Sequence, residues 1–264
     1  MPRFAANVST LFTEVPFLER FERARSAGFR AVECQFPYAH DARQVKARLD
    51  DHGLEAVLIN APAGDLASGE RGLGCLPGRE AAFRDAIGRG VDYAATLGVP
   101  RLHCMSGMAP PGIDDAVLRR TLVANLRFAA DAFEKAGLVL LLEPINAHDV
   151  PGYYLGRIAQ ALDLIDEVGA PNMRLQYDIY HAQRSEGELA ATIERLLPRI
   201  GHMQLADNPG RHEPGTGEIQ FAFLFAHIDR LGYDGWIGCE YQPLGATEAG
   251  LGWFEQAARE GHVR

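Results

Sequence analysis

Short apolar runs alternate with longer amphipathic stretches along the whole chain. The runs predict eight β-strands, which begin near Phe4, Ala31, Leu54, Pro100, Leu138, Met173, Gly201 and Gly235. Several of these runs, such as LVLLLE at 138–143, contain hardly any polar position. This pattern is typical of parallel strands that are buried on both faces.

Each predicted strand is followed by a stretch whose apolar residues have helical spacing. The predicted helices are 16–27, 41–52, 78–97, 114–136, 155–168, 185–196, 221–231 and 247–259. Six of them end at a glycine that precedes the next strand, namely Gly28, Gly53, Gly98, Gly137, Gly169 and Gly232. Glycine favours the left-handed turn that commonly stops a helix, so these positions support the predicted boundaries.

The repeat of strand and helix predicts the fold class. Eight units in 264 residues average 33 residues each, which is the length of a β/α step. We expect one domain over residues 1–264, an α/β fold whose strands close into a (β/α)8 TIM barrel. A doubly wound open sheet is the alternative. The longest connection, 61–77, exceeds a routine loop, and we expect it to cover the substrate.

Composition narrows the possible partners. The chain is 47% hydrophobic and carries 26 basic and 35 acidic residues, a net charge of −9. This charge disfavours nucleic acid and anionic membranes. No apolar run is long enough to span a membrane, and the four cysteines lack paired CxxC spacing, so we expect a cytoplasmic protein with reduced thiols. Lys46 and Lys135 are the only lysines, and both lie in polar helical stretches, which argues against Schiff-base chemistry.

Four predicted strands end in residues that can bind a metal ion. The active site of a barrel of this kind lies at the C-terminal ends of its strands. Strands five to eight carry oxygen donors there, namely Glu143, Asp178, Gln204 and Glu240. Carboxylate and amide oxygens suit Mg²⁺ or Mn²⁺ better than zinc. A solvated strand end is often polar by chance, but four donors on consecutive strands predict a divalent metal site.

Longer motifs surround these four residues. They are LLLEPIN, QYDIYHAQRSEGEL, QLADNPGRHEPGTGEI and GWIGCEYQP, together with FAANVSTLFTEVPF and GERGLGCLPGRE. With these motifs the chain resembles, over nearly its whole length, the hydroxypyruvate isomerases of the xylose isomerase-like barrel superfamily. The resemblance implies that Glu143, Asp178, Gln204 and Glu240 hold the metal ion. It also implies that Glu143 and Glu240 carry out the proton transfers.

The implied reaction interconverts hydroxypyruvate and tartronate semialdehyde, 2-hydroxy-3-oxopropanoate. A proton leaves one carbon and returns to its neighbour, with an enediolate in between. Two glutamates on different strands can supply base and acid, and a divalent cation can stabilise the negative charge. Which glutamate acts first stays open, and a metal-assisted hydride shift is the competing mechanism.

Three further residues are candidates for substrate binding. His181 follows the sixth strand and can polarise a substrate oxygen, although an ordinary loop histidine fits the same position. The carboxylate of a 2-oxo acid needs a cation, and Arg71 and Arg211 lie in glycine-containing loops that suit this role. Either arginine could equally be solvated surface. His103 and His202 lie inside predicted strands, where a structural role is as plausible as a role in the site.

Other functions compete with this interpretation. A 2-oxo-tetronate isomerase would use the same metal site and proton chemistry on a substrate one carbon longer. An endonuclease of the endonuclease IV type and a barrel that only binds sugar acids are more remote alternatives. We expect a small 2-oxo or hydroxy acid as the partner, and a homo-oligomer, most simply a homodimer, on the frequency of such assemblies.

Overall fold

The eight predicted strands are present and close into a barrel. The structure is a computed structural model that describes residues 2–259. Within this range the strands, numbered β1 to β8, are Arg3–Asn7, Ala31–Cys34, Glu55–Asn60, Arg101–His103, Val139–Leu142, Met173–Asp178, Ile200–Leu205 and Trp236–Cys239. Each strand pairs in parallel with the next, and β8 pairs with β1. The predicted (β/α)8 barrel is therefore confirmed, and the open sheet is wrong.

Helices connect consecutive strands around the outside of the barrel. In the described range they are, from α1 to α9, Arg20–Ser26, Ala42–His52, Glu80–Leu97, Asp115–Lys135, Ile158–Val168, Ile179–Ser185, Leu189–Leu196, Phe221–Arg230 and Gly252–Arg259. The first and last predicted helices begin later than expected, because 3₁₀ turns at Phe17–Glu19 and Thr247–Gly250 precede α1 and α9. All six predicted stop glycines have a positive φ, between 59° and 97°, which confirms their role in ending helices.

The predicted helix 185–196 is wrong in its first turn. Two helices occupy this region, and α6 ends at Ser185, where the single helix was predicted to begin. The carboxylate of Asp178, the last residue of β6, accepts hydrogen bonds from the backbone N–H groups of Tyr180 (2.8 Å) and His181 (3.4 Å). This cap starts α6 directly at the end of the strand.

The interior of the barrel is apolar at one end and polar at the other. Ala5 and Ala31 belong to an interior cluster that also contains Val57, Leu58, Leu141 and Trp236. Two residues further along the same strands, Asn7 and Glu33 face the same interior, since side chains alternate along a strand. Polar side chains therefore gather at the C-terminal ends of the strands.

Two expectations about the whole chain can be compared with the structure. All four cysteines are buried and free, as the absence of paired spacing predicts. Among residues 2–259 there is no helix with the length and apolar composition needed to cross a membrane.

Candidate active site

A cavity of about 320 Å³ opens at the C-terminal ends of the strands. Five of the seven predicted site residues line it, namely Arg71, Glu143, His181, Arg211 and Glu240. The other two contact its wall. Asp178 Oδ2 lies 3.7 Å from His181 Nε2, and Gln204 Nε2 donates a hydrogen bond of 2.7 Å to Glu240 Oε2. The fold thus brings all seven residues to one place.

The connection 61–77 forms part of the cavity wall through Leu66 and Arg71. The segment is fastened to the loop after β4, because the backbone N–H of Cys75 donates a hydrogen bond of 2.6 Å to the carbonyl oxygen of Ser106. Asn125 on α4 also donates a hydrogen bond, of 2.9 Å, to the carbonyl oxygen of Gly74. The segment therefore lies at the cavity, and its role in covering a substrate stays a prediction.

Glu143 and Asp178 keep carboxylate oxygens without hydrogen-bond partners. Glu143 Oε1 and Asp178 Oδ2 are buried, and no donor within the described part of the chain makes a hydrogen bond to either atom. One potential ligand atom from each residue and one from His181 lie within 4.8 Å of one another. Buried carboxylate oxygens without donors are costly, so this pair is suited to a cation.

Glu240, in contrast, is hydrogen-bonded at both oxygens. Its Oε1 accepts from Gln35 Nε2 (3.0 Å) and Arg211 Nη2 (2.7 Å). Its Oε2 accepts from Asn7 Nδ2 (3.1 Å) and Gln204 Nε2 (2.7 Å). Four donors from four different segments therefore hold this carboxylate.

Gln204 presents its amide nitrogen, and not its carbonyl oxygen, to the neighbouring carboxylates. Its Nε2 also donates to Glu33 Oε1 (2.8 Å), while its Oε1 accepts a hydrogen bond of 2.6 Å from Gln176 Nε2. A metal ion can be bound only by the carbonyl oxygen of an amide. The role of Gln204 as a ligand stays a prediction.

The buried carboxyl groups have raised pKa values. Burial is the largest cause for Glu143, and the negative charges of Glu240 and Asp178 raise the pKa of Glu143 further, well above its ordinary value. Burial also raises the pKa of Glu240, while Arg211 acts in the opposite direction. Two carboxyl groups with raised pKa values hold a proton more readily than an ordinary glutamate does, which suits proton exchange with a substrate.

His181 presents a proton donor to the cavity. Asn146 Oδ1 accepts hydrogen bonds from the backbone N–H groups of His148 (3.0 Å) and Asp149 (2.9 Å), so its Nδ2 is the atom that faces His181 Nδ1 at 2.6 Å. His181 Nδ1 therefore accepts a hydrogen bond. Burial, with a contribution from Arg211, lowers the pKa of His181 well below its ordinary value. The neutral ring then carries its proton on Nε2, so Arg211 Nη2, which lies 3.4 Å from this atom, does not donate to it. The Nε2–H suits a hydrogen bond to a substrate oxygen.

The two predicted arginines differ in their partners. Arg211 Nη2 lies 2.7 Å from Glu240 Oε1 and 3.9 Å from Asp178 Oδ2, and its guanidinium stacks over the ring of Tyr180. Arg71 donates only to the backbone carbonyl oxygens of Leu66 (3.1 Å) and Glu70 (2.8 Å). In the described part of the chain no carboxylate pairs with Arg71, so its charge is available to an anion in the cavity.

The sequence reasoning missed Asn7 on β1 and Glu33 on β2, which belong to the hydrogen-bond network around Glu240. Glu33 is only 1% exposed, and His202 Nε2 lies 2.6 Å from its Oε2. Gly238 on β8 provides the space, since a Cβ there would lie 2.2 Å from the Glu33 carboxylate oxygens. A glutamate inside the apolar run AVECQF and an asparagine at the end of β1, Asn7, were the available signals. The strand-end argument covered only the last four strands.

Comparisons with known proteins place the chain among isomerases. Hydroxypyruvate isomerase from Escherichia coli is 51% identical over 97% of this chain and 99% of its own length. 2-oxo-tetronate isomerase from Cupriavidus necator is also 51% identical, over 97% of this chain and 98% of its own length. A crystal structure of an AP endonuclease, family 2, from Brucella melitensis has a TM-score of 0.95 and 45% identity, and covers 97% of this chain and 99% of that chain.

The family model described as xylose isomerase-like TIM barrel matches residues 21–257. The resemblance seen in the motifs is thereby confirmed. By its closed barrel, its matched length and its similarity to named isomerases, the chain belongs to the xylose isomerase-like TIM barrel family.

Proposed function

We propose that this chain is an isomerase that interconverts hydroxypyruvate and tartronate semialdehyde by proton transfer between neighbouring carbons. The observation that carries the proposal is the placement of Glu143 and Glu240, which follow different strands and line one cavity. Base and acid must reach adjacent carbons, and two carboxylates from separate strands meet this need. The named activities of the 51% identical relatives support the same chemistry.

The residues present fit a divalent metal ion. Glu143 and Asp178 offer buried oxygens to which no described residue donates, and oxygen donors suit Mg²⁺ or Mn²⁺. We propose that these two residues hold the ion together with Glu240 and Gln204, the latter through the oxygen that here bonds Gln176. When bound, the ion supplies a Lewis acid that stabilises negative charge on the substrate oxygens.

The side chains carry out the proton transfer. Glu143 and Glu240 remove a proton from one carbon and return a proton to the other, with an enediolate in between. The hydroxyl proton passes from the oxygen of one carbon to the oxygen of its neighbour. His181 donates its Nε2–H to a substrate oxygen, and this donation stabilises the negative charge that develops there. Arg71 binds the substrate carboxylate.

Deuterium incorporation tests this mechanism. During turnover in D₂O, proton transfer through the glutamates exposes the proton to solvent, and NMR of the product should detect deuterium at the reacting carbon. A hydride shift carries the hydrogen directly between carbons, so a product free of solvent deuterium even under slow turnover would overturn the proposal.

A 2-oxo-tetronate isomerase is the second candidate, because a relative with this name is equally similar to the chain. The two substrates differ by one carbon, and such a difference in a pocket is worth only about 1–3 kcal/mol. Comparing kcat/KM on both acids distinguishes the candidates. We expect the higher value on hydroxypyruvate, and a higher value on 2-oxo-tetronate would reverse the assignment.

We propose a small acid, and not nucleic acid, as the partner. An endonuclease needs a basic face, whereas this chain has a net charge of −9 and the candidate site is built on carboxylates. A cytoplasmic location, which the free cysteines suggest, and a homodimer remain part of the proposal.

A further inference from the structure

His103 lines the cavity, and its ring makes no hydrogen bond to a described residue. It is the last residue of β4, is only 1% exposed, and lines the cavity beside Glu143. Neither of its ring nitrogens has a hydrogen-bond partner among residues 2–259, although Nδ1 lies 3.4 Å from Glu143 Oε2. Asn60, its neighbour in register on β3, lines the same wall.

The other two buried histidines of the described chain, His181 on α6 and His202 within β7, differ from His103. His181 Nδ1 bonds Asn146, and His202 Nε2 bonds Glu33, so in each case a protein group orients the ring. Native proteins rarely leave a buried ring without any polar partner, because each unpaired polar group is costly. A partner for His103 that comes from the cavity explains its position.

We propose that His103 is a substrate-contacting residue whose imidazole hydrogen-bonds a hydroxyl or carbonyl oxygen of the substrate beside the Glu143 carboxylate. This inference rests on the proposed function for the class of substrate. A ligand can reach the ring from the cavity that His103 lines, while β3 and β5 pair with β4 on either side. The contact would fix the substrate oxygen next to a proton-transferring carboxylate.

The contacted group is an uncharged oxygen and not the substrate carboxylate. A carboxylate is best held by a cation, and Arg71 faces the same cavity without a carboxylate partner in the described range. A neutral imidazole offers one N–H donor and one acceptor nitrogen, which matches a hydroxyl or carbonyl oxygen. His103 and Arg71 would therefore hold different ends of a short hydroxy acid.

Binding of three unreactive acids can show which substrate oxygen His103 contacts. 2,3-Dihydroxypropanoate carries both oxygens, lactate lacks the oxygen on C3, and 3-hydroxypropanoate lacks the oxygen on C2. Their dissociation constants can be measured by calorimetry for the wild type and for His103→Leu, with Mn²⁺ present. We expect His103→Leu to weaken 2,3-dihydroxypropanoate and one of the two monohydroxy acids by about tenfold, the effect of one lost hydrogen bond. For the acid that lacks the contacted oxygen, the dissociation constant of His103→Leu should stay within about twofold of the wild-type value. This change is much smaller than the tenfold that corresponds to about 1.4 kcal/mol.

Two further variants complete the experiment. His103→Gln keeps a donor and an acceptor, so it should recover part of the lost affinity, and it replaces His103→Leu if that variant does not fold. His52→Leu, at the end of α2, is the matched control and should bind all three acids as the wild type does. Equal weakening of all three acids, or no weakening of any, would overturn the proposal.

The binding measurement is independent of turnover. If the wild type fails to isomerise hydroxypyruvate but its affinity for one hydroxyl depends on His103, the proposed reaction is wrong and the contact stands. If the wild type isomerises the substrate and the three acids respond alike, the reaction stands and the contact is wrong.

Discussion

The carboxylates on the two sides of the barrel mouth differ in their hydrogen bonding. On the bonded side, formed by Glu33 and Glu240, every carboxylate oxygen accepts at least one hydrogen bond or contacts the ring of His202. On the open side, formed by His103, Glu143 and Asp178, each residue has a buried polar atom without a described partner. Both carboxylates of the bonded side are therefore occupied by hydrogen bonds, whereas the open side keeps carboxylate oxygens that suit a ligand or an ion.

The difference distinguishes the two glutamates proposed for proton transfer. Glu143 can give or take a proton at Oε1 without breaking a contact with any described residue. Glu240 must exchange at least one of its donors, most directly Arg211, before it meets a substrate or an ion. Sequence position alone makes the two residues equivalent, since each directly follows a strand.

The largest effect is expected on catalysis. Glu143→Gln and Glu240→Gln each preserve shape but remove a group that exchanges protons, so kcat should fall by about 10²–10⁴-fold in both variants. The measurement is the initial rate of hydroxypyruvate conversion followed by NMR. Glu134→Gln, on the exposed face of α4, is the control and should retain the wild-type rate. A loss smaller than about tenfold in either site variant would remove that residue from the proton transfer.

Stability should separate the same two variants. Glu240→Gln places an amide NH2 where one carboxylate oxygen accepts two hydrogen bonds, and leaving a buried donor without its acceptor costs about 1–3 kcal/mol. Glu143→Gln removes a carboxylate that has an unpartnered oxygen, so the free energy of unfolding should not fall. Urea unfolding of the metal-free proteins measures both values. Equal destabilisation by the two substitutions would contradict the contrast between the open and bonded sides.

The pH dependence of stability should depend on His103. Burial, with a contribution from His181, lowers the pKa of His103 from its ordinary value of 6.5 to about 3. Between these values the unfolded chain binds a proton that the folded chain does not, so this residue's contribution to stability falls as the pH drops below 6.5. From pH 7.5 to pH 5 the loss amounts to about 2 kcal/mol.

The raised pKa values of Glu143 and Glu240 act in the opposite direction, so a comparison between variants is needed. His103→Gln should lose about 2 kcal/mol less than the wild type between the two pH values, as measured by urea unfolding at each. An identical pH dependence in the two proteins would show that the open side does not keep this ring neutral.

The smallest effect concerns Arg71. Arg71→Ala should raise KM for hydroxypyruvate by about tenfold, the effect of a lost charged contact of about 1.4 kcal/mol, and leave KM for a neutral hydroxyaldehyde nearly unchanged. Arg43→Ala, at an exposed arginine in the first turn of α2, serves as the control and should leave both KM values unchanged. If both substrates lose affinity equally, Arg71 supports the loop and does not bind the carboxylate.

The periodicity of the chain was sufficient for the fold. The eight apolar runs, their spacing and the six stop glycines are local features, and each has a direct physical link to backbone conformation. The error at 185–196 arose where a tertiary role overrode the local pattern, because Asp178 both ends β6 and caps α6. The strand-end argument identified Glu143, Asp178, Gln204 and Glu240, and positions in the loops added His181, Arg71 and Arg211. The structure brings all seven residues to one cavity or its wall.

The surroundings of each polar group depend on tertiary contacts. Contacts between residues far apart in the chain give Glu240 four donors and turn the Gln204 nitrogen toward it. They also leave His103 without a hydrogen-bond partner among residues 2–259. Hydrogen bonding and burial depend on three-dimensional neighbours, which local spacing does not encode. The sequence by itself determined the barrel and the oxygen-rich strand ends, whereas only the tertiary structure decided which of those atoms are bonded and which are open to a ligand.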